Sequence, residues 1–437
     1  MFALLLLVAS ADAPIWQAGL AKRIITPAEP MWMAGYAART KPAEGKEQEL
    51  YVKVLALQDA KGRRAVLLTS DLIGIPRSLA QNVRNAVRKR HGLNEASLML
   101  TASHTHSGPV IADNLLDMYP MPPEEAKKVI PYTRWLSEQM IAAIDDAVTK
   151  LQPVTLEAGI SNAGFAVNRR LQTAKGIVGG SNPMGPVDHR VPVLRVCSAK
   201  GDVLAWVFGY ACHNTTLSWL RWCGDYAGFA QEAIESKHPS ALALFWTGCG
   251  ADANPLPRGK VEQARAYGNE LARAVLATAT KEIRGELTLR YAEVPLPYDT
   301  LPTKEQWIAQ KLSKNLAERR RAEKWLARWE QDGQLPKTYD HYPVQVWKVG
   351  PVTWIALGGE VVVDYALRLK KTIGPEVWVT AYANDVMAYI PSKRVLSEGG
   401  YEADSSQIYY GQPTRWSPRI EEIIHDQIAK LVKSEKE

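Results

Sequence analysis

The sequence predicts an α/β fold in which layered, mixed β-sheets are flanked by helices and the functional groups lie at strand ends. Strand-like and helix-like segments alternate through the first hundred residues, which is the order typical of α/β proteins. Histidines and a carboxylate also follow apolar, strand-like runs at several places along the chain. Functional groups of α/β proteins are usually found at such positions, so one pattern predicts both the fold and the place of its site.

The individual elements follow from apolar periodicity and turn residues. Short apolar runs predict strands over residues 15–26, 51–57, 64–71, 96–101, 191–196, 203–208, 241–246, 343–357 (a pair) and 377–382. Helical spacing predicts helices over residues 77–91, 132–150, 226–237, 261–282 and 361–371. No repeat or break in composition interrupts the chain, so residues 15–437 are expected to form a single domain.

Residues 303–332 form a strongly charged segment with helical spacing, in which Trp325 and Trp329 lie one turn apart. The pattern favours a solvated helical hairpin with an apolar underside. Peripheral contact with a membrane surface is the alternative.

Composition excludes some partners. Of the 437 residues, 46% are hydrophobic and 23% are charged, as in ordinary globular proteins. The formal net charge of +7 is compatible with an anionic substrate or surface. Because the basic residues are not interleaved with aromatic ones in an array, nucleic acid is not an expected partner. The 14 Trp suit contacts with sugars or amphiphiles, but most are expected in the core.

The N-terminus predicts export. Residues 1–8 form a compact apolar run, and small residues follow it at positions 9–11, as at a signal-peptide cleavage site. Residues 1–11 are therefore expected to be a signal peptide, and the mature protein to be secreted or periplasmic. The four cysteines contain no Cys-x-x-Cys pair, which excludes a zinc ribbon. A disulfide between Cys212 and Cys223 is allowed in an exported protein and is left open.

Two histidines, His104 and His106, lie between a predicted strand and a Ser-Gly-Pro turn. Residues two apart on a strand share a face, so both imidazoles are expected to point into one cleft while Thr105 points away. Neutral imidazole is the commonest protein ligand for transition metals. At a strand end, a metal site is about as favoured as a pair of hydrogen-bonded surface histidines.

Three other segments carry groups that could be either functional or structural when each is considered alone. His213 closes the predicted strand 203–208, where a histidine is more often structural. Glu360 follows two glycines in a strand-to-helix turn, where it would complement the helix dipole. The Gly-rich loop at 248–255 exposes backbone N–H groups that suit an oxyanion, and it lacks the Gly-Lys-Ser/Thr of a P-loop.

Together, these motifs resemble the zinc-binding catalytic domain of the neutral/alkaline, non-lysosomal ceramidase family. Residues 104–109 match the family's His-Thr-His-Ser-Gly-Pro motif without change, and the other segments match in the family's order from about residue 15 to 410. The resemblance implies a Zn²⁺ ion and four ligands, which are His104, His213, Glu360 and Tyr389.

The resemblance also implies an activity and further roles. It implies a hydrolase of sphingolipid metabolism that cleaves the N-acyl amide bond of a small or lipid-like substrate with metal-activated water. His106 would transfer a proton or stabilise an oxyanion, and Tyr401 would donate a hydrogen bond to that oxyanion. Asn168 and Arg169 match an Asn-Arg pair that lines the family's substrate pocket.

Two departures from the family pattern leave alternatives open. The family's loop serine is missing, since no hydroxyl residue lies between Cys249 and Gly259. Asp252 is considered as a base in its place, with a turn or N-cap role as the equal alternative. The family's C-terminal β-sandwich domain is expected to be absent. A zinc hydrolase of a glycan or ester, or a zinc-bearing binding protein without turnover, therefore remains as an alternative.

Overall fold

Two β-sheets stack face to face, and helices cover the outer face of each, so the predicted mixed α/β class is confirmed. The computed structural model describes residues 16–433. The predicted signal peptide lies outside these residues and stays a prediction. Within the described range, no helix is long and apolar enough to cross a membrane.

The strands are β1 Trp16–Ile24, β2 Gly45–Lys46, β3 Tyr51–Gln58, β4 Arg64–Ser70, β5 Leu98–Ala102, β6 Gln152–Asn162, β7 Ala166–Thr173, β8 Gly176–Asn182, β9 Arg190–Ser198, β10 Val203–Tyr210, β11 Arg221–Trp222, β12 Leu242–Thr247, β13 Ala253–Pro255, β14 Lys281–Ile283, β15 Leu287–Pro297, β16 Thr338–Val349, β17 Val352–Leu357, β18 Glu360–Val361, β19 Trp378–Thr380 and β20 Tyr389–Ile390. The helices are α1 Arg77–His91, α2 Pro123–Thr149, α3 Asp225–Lys237, α4 Val261–Leu276, α5 Lys304–Gln310, α6 Leu316–Asp332, α7 Val363–Thr372, α8 Lys393–Glu398 and α9 Ile420–Lys433.

Both large sheets are mixed. The larger sheet has the strand order β12-β10-β9-β6-β1-β3-β4-β5, with β14 also paired to β6. Its neighbours are mostly antiparallel, but β4–β5 and β10–β12 are parallel. The smaller sheet has the order β15-β16-β17-β19, in which β17 and β19 are parallel.

Alternating side chains build the layers. In β3, Val52 and Val54 pack with α1 and α2, whereas Leu55 and Leu57 pack into the space between the sheets. This is the period-two alternation of a strand that is buried on both faces. The pattern explains why the run at residues 51–57 predicts its strand correctly.

Tryptophans fill the space between the two sheets. Trp246 of β12 lies 5.4 Å from Trp354 of β17, measured between ring centroids. Trp354 also contacts Trp347 and Trp378, and all four rings are buried. These tryptophans therefore belong to the core, as the sequence predicts for most of them.

Several elements differ from the prediction. Helix α2 begins at Pro123 and runs through Pro131, well before the predicted start at 132, since the buried Val129 and Tyr132 continue its apolar face. Helix α4 ends at Leu276 rather than 282. Strands β6, β7, β8 and β15 and helix α9 have no predicted counterpart. In β8 the reason is its three glycines, which have low β-propensity.

Residues 304–332 form the predicted helical hairpin, α5 and α6, with Trp307 and Trp325 on its buried side. All four cysteines are buried free thiols, so no disulfide joins Cys212 to Cys223.

The chain segments after β5, β10, β12, β17 and β19 converge. Isolated β-bridges join them, between Thr101 and Ala383, Thr105 and Asn214, and Gly248 and Thr380. The parallel pairs β10–β12 and β17–β19 place their carboxyl ends at one edge of each sheet. Groups that follow these strands are therefore brought together, as the fold prediction requires.

Asn384 ties the two sheets together beside this meeting point. Its Oδ1 accepts hydrogen bonds from the Leu100 backbone N–H at 3.1 Å and from Arg84 Nη2 at 2.7 Å. Its Nδ2 donates to Gln345 Oε1 at 2.8 Å. The backbone φ of 67° lies in the left-handed region, which Asn adopts more readily than most residues.

Replacing Asn384 with Ala should lower the free energy of unfolding by about 2–4 kcal/mol, because Arg84 and Gln345 would lose buried hydrogen bonds. Urea titration of the purified protein measures this change. Asn85→Ala is the matched control, since Asn85 is exposed on α1 and should change stability by less than about 0.5 kcal/mol. Equal stability of the two variants would contradict this role of Asn384.

Candidate metal centre

His104 follows β5, which ends at Ala102, and has a left-handed φ of 58°. The prediction that His104 and His106 share a face because they lie on a strand is therefore wrong, since the strand ends before either residue. The turn brings the rings together instead, with their centroids 4.8 Å apart. His104 Nδ1 lies 2.6 Å from the Ile73 carbonyl oxygen. A carbonyl only accepts, so Nδ1 donates, and in the neutral ring Nε2 then carries the lone pair.

His213 is held in the same way. It is fully buried after β10, and its Nδ1 donates to the Gly250 carbonyl oxygen at 2.9 Å. Burial, together with the nearby Arg169 guanidinium, lowers the pKa of His213 to about 4. The imidazole is therefore neutral, and its Nε2 presents a lone pair to the centre of the site.

Glu360 and Tyr389 are neighbours in the short parallel pair β18–β20. Glu360 Oε2 lies 3.2 Å from His104 Nε2 and 3.2 Å from His213 Nε2. The Tyr389 hydroxyl lies 3.2 Å from His213 Nε2. The four predicted ligands, which come from four segments of the chain, thus place their donor atoms around one point.

The arrangement of these atoms fits a metal ion. Ligands 2.0–2.1 Å from a tetrahedral zinc ion are about 3.3 Å apart, which is close to the spacing in the structure. Burial raises the pKa of Glu360, but the neighbouring imidazoles outweigh it and hold that pKa well below its usual range, which requires a proton on His104 or His213. Burial of His213 opposes such a proton. A cation held by His104, His213, Glu360 and Tyr389 would remove this conflict.

His106 also belongs to the cluster. Its Nε2 lies 3.1 Å from His104 Nε2, and the ligating atoms of His104, His106 and His213 all lie within 4.8 Å of one another. Burial and the two neighbouring imidazoles hold the pKa of His106 well below its usual range. Gly35 allows this position, because a Cβ there would lie 2.4 Å from His106 Nδ1.

Arg169 connects the cluster to a cleft. Its Nη2 donates to the Tyr389 hydroxyl at 2.9 Å, and its Nε donates to Glu402 Oε1 at 2.8 Å. The Tyr401 ring lies 5.3 Å from the Tyr389 ring and is 38% exposed, so it stands at the mouth of the site. Arg169 and Tyr401 line one cleft of about 370 Å³, whereas another cleft of about 470 Å³ contains none of the predicted site residues.

Asp252 is buried, and its carboxylate accepts hydrogen bonds from two other segments of the chain. Its Oδ1 accepts from the backbone N–H of Val363, the first residue of α7, at 2.9 Å. Its Oδ2 accepts from Asn168 Nδ2 at 3.3 Å, and the same Asn168 nitrogen donates to the Pro186 carbonyl oxygen at 2.9 Å. Burial raises the pKa of Asp252 to about 7. Asp252 itself lies in a turn before β13, and Val362 is the N-cap residue of α7. The catalytic role of Asp252 and the substrate contact of Asn168 stay predictions.

The Gly-rich loop supports the site through a carbonyl group. The N–H groups of Gly248, Gly250, Ala251 and Ala253 donate to backbone carbonyls. These groups are therefore not available to an oxyanion, contrary to the expectation from the sequence. The loop's contact with the cluster is the Gly250 carbonyl oxygen, which holds His213.

Two tyrosines beside Glu360 were not predicted. The Tyr410 hydroxyl donates to Glu360 Oε1, and the Tyr382 hydroxyl lies 3.4 Å from Glu360 Oε2. The Tyr382 ring also packs on His104, with centroids 4.4 Å apart. Neither tyrosine stands in a motif that marks it, and buried tyrosines are common in cores. Arg39, whose Nη2 donates to the His106 carbonyl oxygen at 2.7 Å, was not predicted either, because no motif marks it.

Tyr410→Phe should weaken metal binding about 10- to 100-fold, because the hydroxyl orients the Glu360 carboxylate from outside the ligand set. Competition with a chromogenic chelator measures the dissociation constant. Tyr409→Phe is the control, since the neighbouring Tyr409 makes no hydrogen bond to Glu360 within the described residues. Unchanged affinity in the Tyr410→Phe variant would show that Tyr410 does not position the ligand.

Comparisons with known proteins identify the family and the fold of this chain. Residues 16–244 match the family model described as neutral/alkaline non-lysosomal ceramidase, N-terminal. The crystal structure of a neutral ceramidase from Pseudomonas aeruginosa is similar, with 18% identity and a TM-score of 0.73 over 96% of this chain and 74% of that chain. A ceramidase complexed with C2 is also similar, with 18% identity and a TM-score of 0.72 over 96% of this chain and 75% of that chain. No curated protein matches by sequence.

Proposed function

Because this chain belongs to the neutral/alkaline non-lysosomal ceramidase family, we propose that it is a zinc-dependent hydrolase of N-acyl amide bonds. The family model matches more than half of the chain, and membership implies a hydrolase. The proposal goes beyond this class in naming the metal, the bond that is cleaved and the role of each residue.

The convergence of His104, His213, Glu360 and Tyr389 gives this proposal its main support. Two imidazoles, a carboxylate and a phenol form a donor set that suits zinc. Both imidazoles donate Nδ1–H to backbone carbonyls, which fixes their tautomers as in known zinc sites. Within residues 16–433, these groups are buried beside a cleft large enough for part of a substrate.

Bound zinc would polarise the scissile carbonyl and lower the pKa of a water molecule toward ~7. His106 Nε2 faces the donor atoms, so it can take a proton from the attacking water and return it to the leaving amine nitrogen. Burial and the neighbouring imidazoles lower the pKa of His106, so the imidazole is neutral before the reaction.

Tyr401 and Arg169 act on the substrate. Partial burial in the cleft raises the pKa of Tyr401 above its usual range, so the phenol keeps its proton and can donate to the developing oxyanion. Arg169, fixed between Glu402 and Tyr389, orients the polar part of the substrate.

Water attacks directly in this proposal. The loop between Cys249 and Gly259 has no hydroxyl residue, and Cys249 is a poor nucleophile because burial raises the pKa of its thiol. An acyl-enzyme on this loop is therefore not expected, and serine-directed reagents should leave the activity intact. Trapping a covalent adduct on any serine or on Cys249 would contradict direct attack.

A hydrolysis screen over N-acyl amides, esters and glycosides tests the proposed activity. We expect amide cleavage that a chelator abolishes and added zinc restores. Tyr401→Phe and His106→Ala should each lower kcat about 10²- to 10³-fold, since each loses a group that acts in the transition state. Zinc content should stay near that of the wild type. The controls are Tyr409→Phe and His238→Ala, the latter at the end of α3.

The other outcomes separate the alternatives. Cleavage of esters or glycosides but not amides would establish a different zinc hydrolase. Zinc binding without any turnover would favour the binding protein. Full activity of both Tyr401→Phe and His106→Ala would show that the catalytic groups lie elsewhere, whatever the metal.

A further inference from the structure

The cleft beside the candidate metal centre has an inner and an outer part. Arg169 and Tyr401, which both contact Tyr389, line its inner part. The outer part has an apolar wall formed by Ile177 and Val178 of the β7–β8 hairpin and by Leu256 from the loop after β13. The cleft therefore leads from the ligand cluster toward the surface along a largely apolar wall.

The charges that line this cleft do not balance. Glu402 is its only lining carboxylate within the described residues, and it forms ion pairs with Arg169 at 2.8 Å and with Arg170 at 2.6 Å. Arg170 also pairs with Glu398 at 3.0 Å. Arg258, which lines the outer part, pairs with no carboxylate among residues 16–433. Arg258 is an exposed residue, so its guanidinium is open both to solvent and to a ligand in the cleft.

Short contacts join Arg258 to the metal centre. Arg258 Nη1 donates to the Thr215 carbonyl oxygen at 3.3 Å, and Thr215 Oγ1 donates to Asn254 Oδ1 at 3.3 Å. Arg169 Nη1 donates to the same Asn254 oxygen at 3.4 Å, and Arg169 Nη2 reaches Tyr389. These contacts link Arg258 to Tyr389 through Thr215, Asn254 and Arg169, and among the described residues the Arg258 guanidinium, which has five N–H donors, makes one hydrogen bond.

We propose that Arg258 forms a subsite for an oxyanion, so that the preferred substrates are amides that carry a carboxylate or a phosphate. This inference rests on the proposed amide hydrolysis. A guanidinium binds either oxyanion through paired N–H groups, and Ile177, Val178 and Leu256 would contact the apolar part that links the anion to the amide. A neutral amide would leave the Arg258 charge without a partner.

Three substrates with one common acyl chain test the subsite: a neutral N-alkyl amide, an N-acyl amino acid and an N-acylethanolamine phosphate. Arg258→Gln should lower kcat/KM for an anionic substrate about 10- to 100-fold, the range for losing a hydrogen bond to a charged group. The neutral amide should change less than about twofold. Lys260→Gln, which removes an exposed charge of the same loop outside the cleft, is the control. The two anionic substrates distinguish carboxylate from phosphate.

Binding of ketone analogues, in which a methylene replaces the amide nitrogen, gives a readout that does not need turnover. Anionic analogues should bind wild type more tightly than the neutral one, and Arg258→Gln should abolish the difference. Equal binding of all three analogues, or an equal loss for all three in Arg258→Gln, would overturn the subsite. Absence of chelator-sensitive amide cleavage, with the binding difference intact, would overturn the proposed function and leave the subsite standing.

Discussion

Glu360 Oε2 lies 3.2 Å from the Nε2 atoms of both His104 and His213, and the surrounding structure keeps these three ligand atoms together. Both Nδ1 atoms of His104 and His213 are committed to backbone carbonyls, so neither ring can turn to donate from the other side. Holding a buried carboxylate oxygen against two imidazole nitrogens is costly, even though the Tyr410 hydroxyl donates to the other oxygen of Glu360. Such an arrangement is stable when a cation occupies its centre, and each element near it can be understood as holding one acceptor in place.

The fold supplies these positions from distant parts of the chain. His213 lies in the turn after β10 of the parallel β10–β12 pair, and Glu360 follows β17 of the parallel β17–β19 pair. The β18–β20 pair places Tyr389 beside Glu360. Asn384 fixes the end of β5 against the second sheet, four residues before His104. Asn384 therefore links the contact between the sheets to the segment that leads to the candidate metal centre.

Sequence patterns predict the parts of this structure that depend on local chemistry. The alternation at 51–57 and 64–71 predicts β3 and β4, and residues 104–109 point to the family that the comparisons confirm. His213 and Glu360 were ambiguous singly because their proximity arises from pairing between distant strands. The geometry of residues 104–106 was misjudged because the left-handed turn at His104 has no local signal. Tyr410 was missed since nothing in its neighbours distinguishes it from a core tyrosine.

Metal analysis of the purified protein by mass spectrometry decides whether the cluster holds a tightly bound metal. We expect one zinc ion per chain, lost in the His104→Ala and His213→Ala variants. The His189→Ala variant should keep the metal, because His189 contacts the Ala166 carbonyl oxygen rather than the cluster. Finding no zinc in the wild type, or undiminished zinc in the His104→Ala and His213→Ala variants, would contradict this expectation.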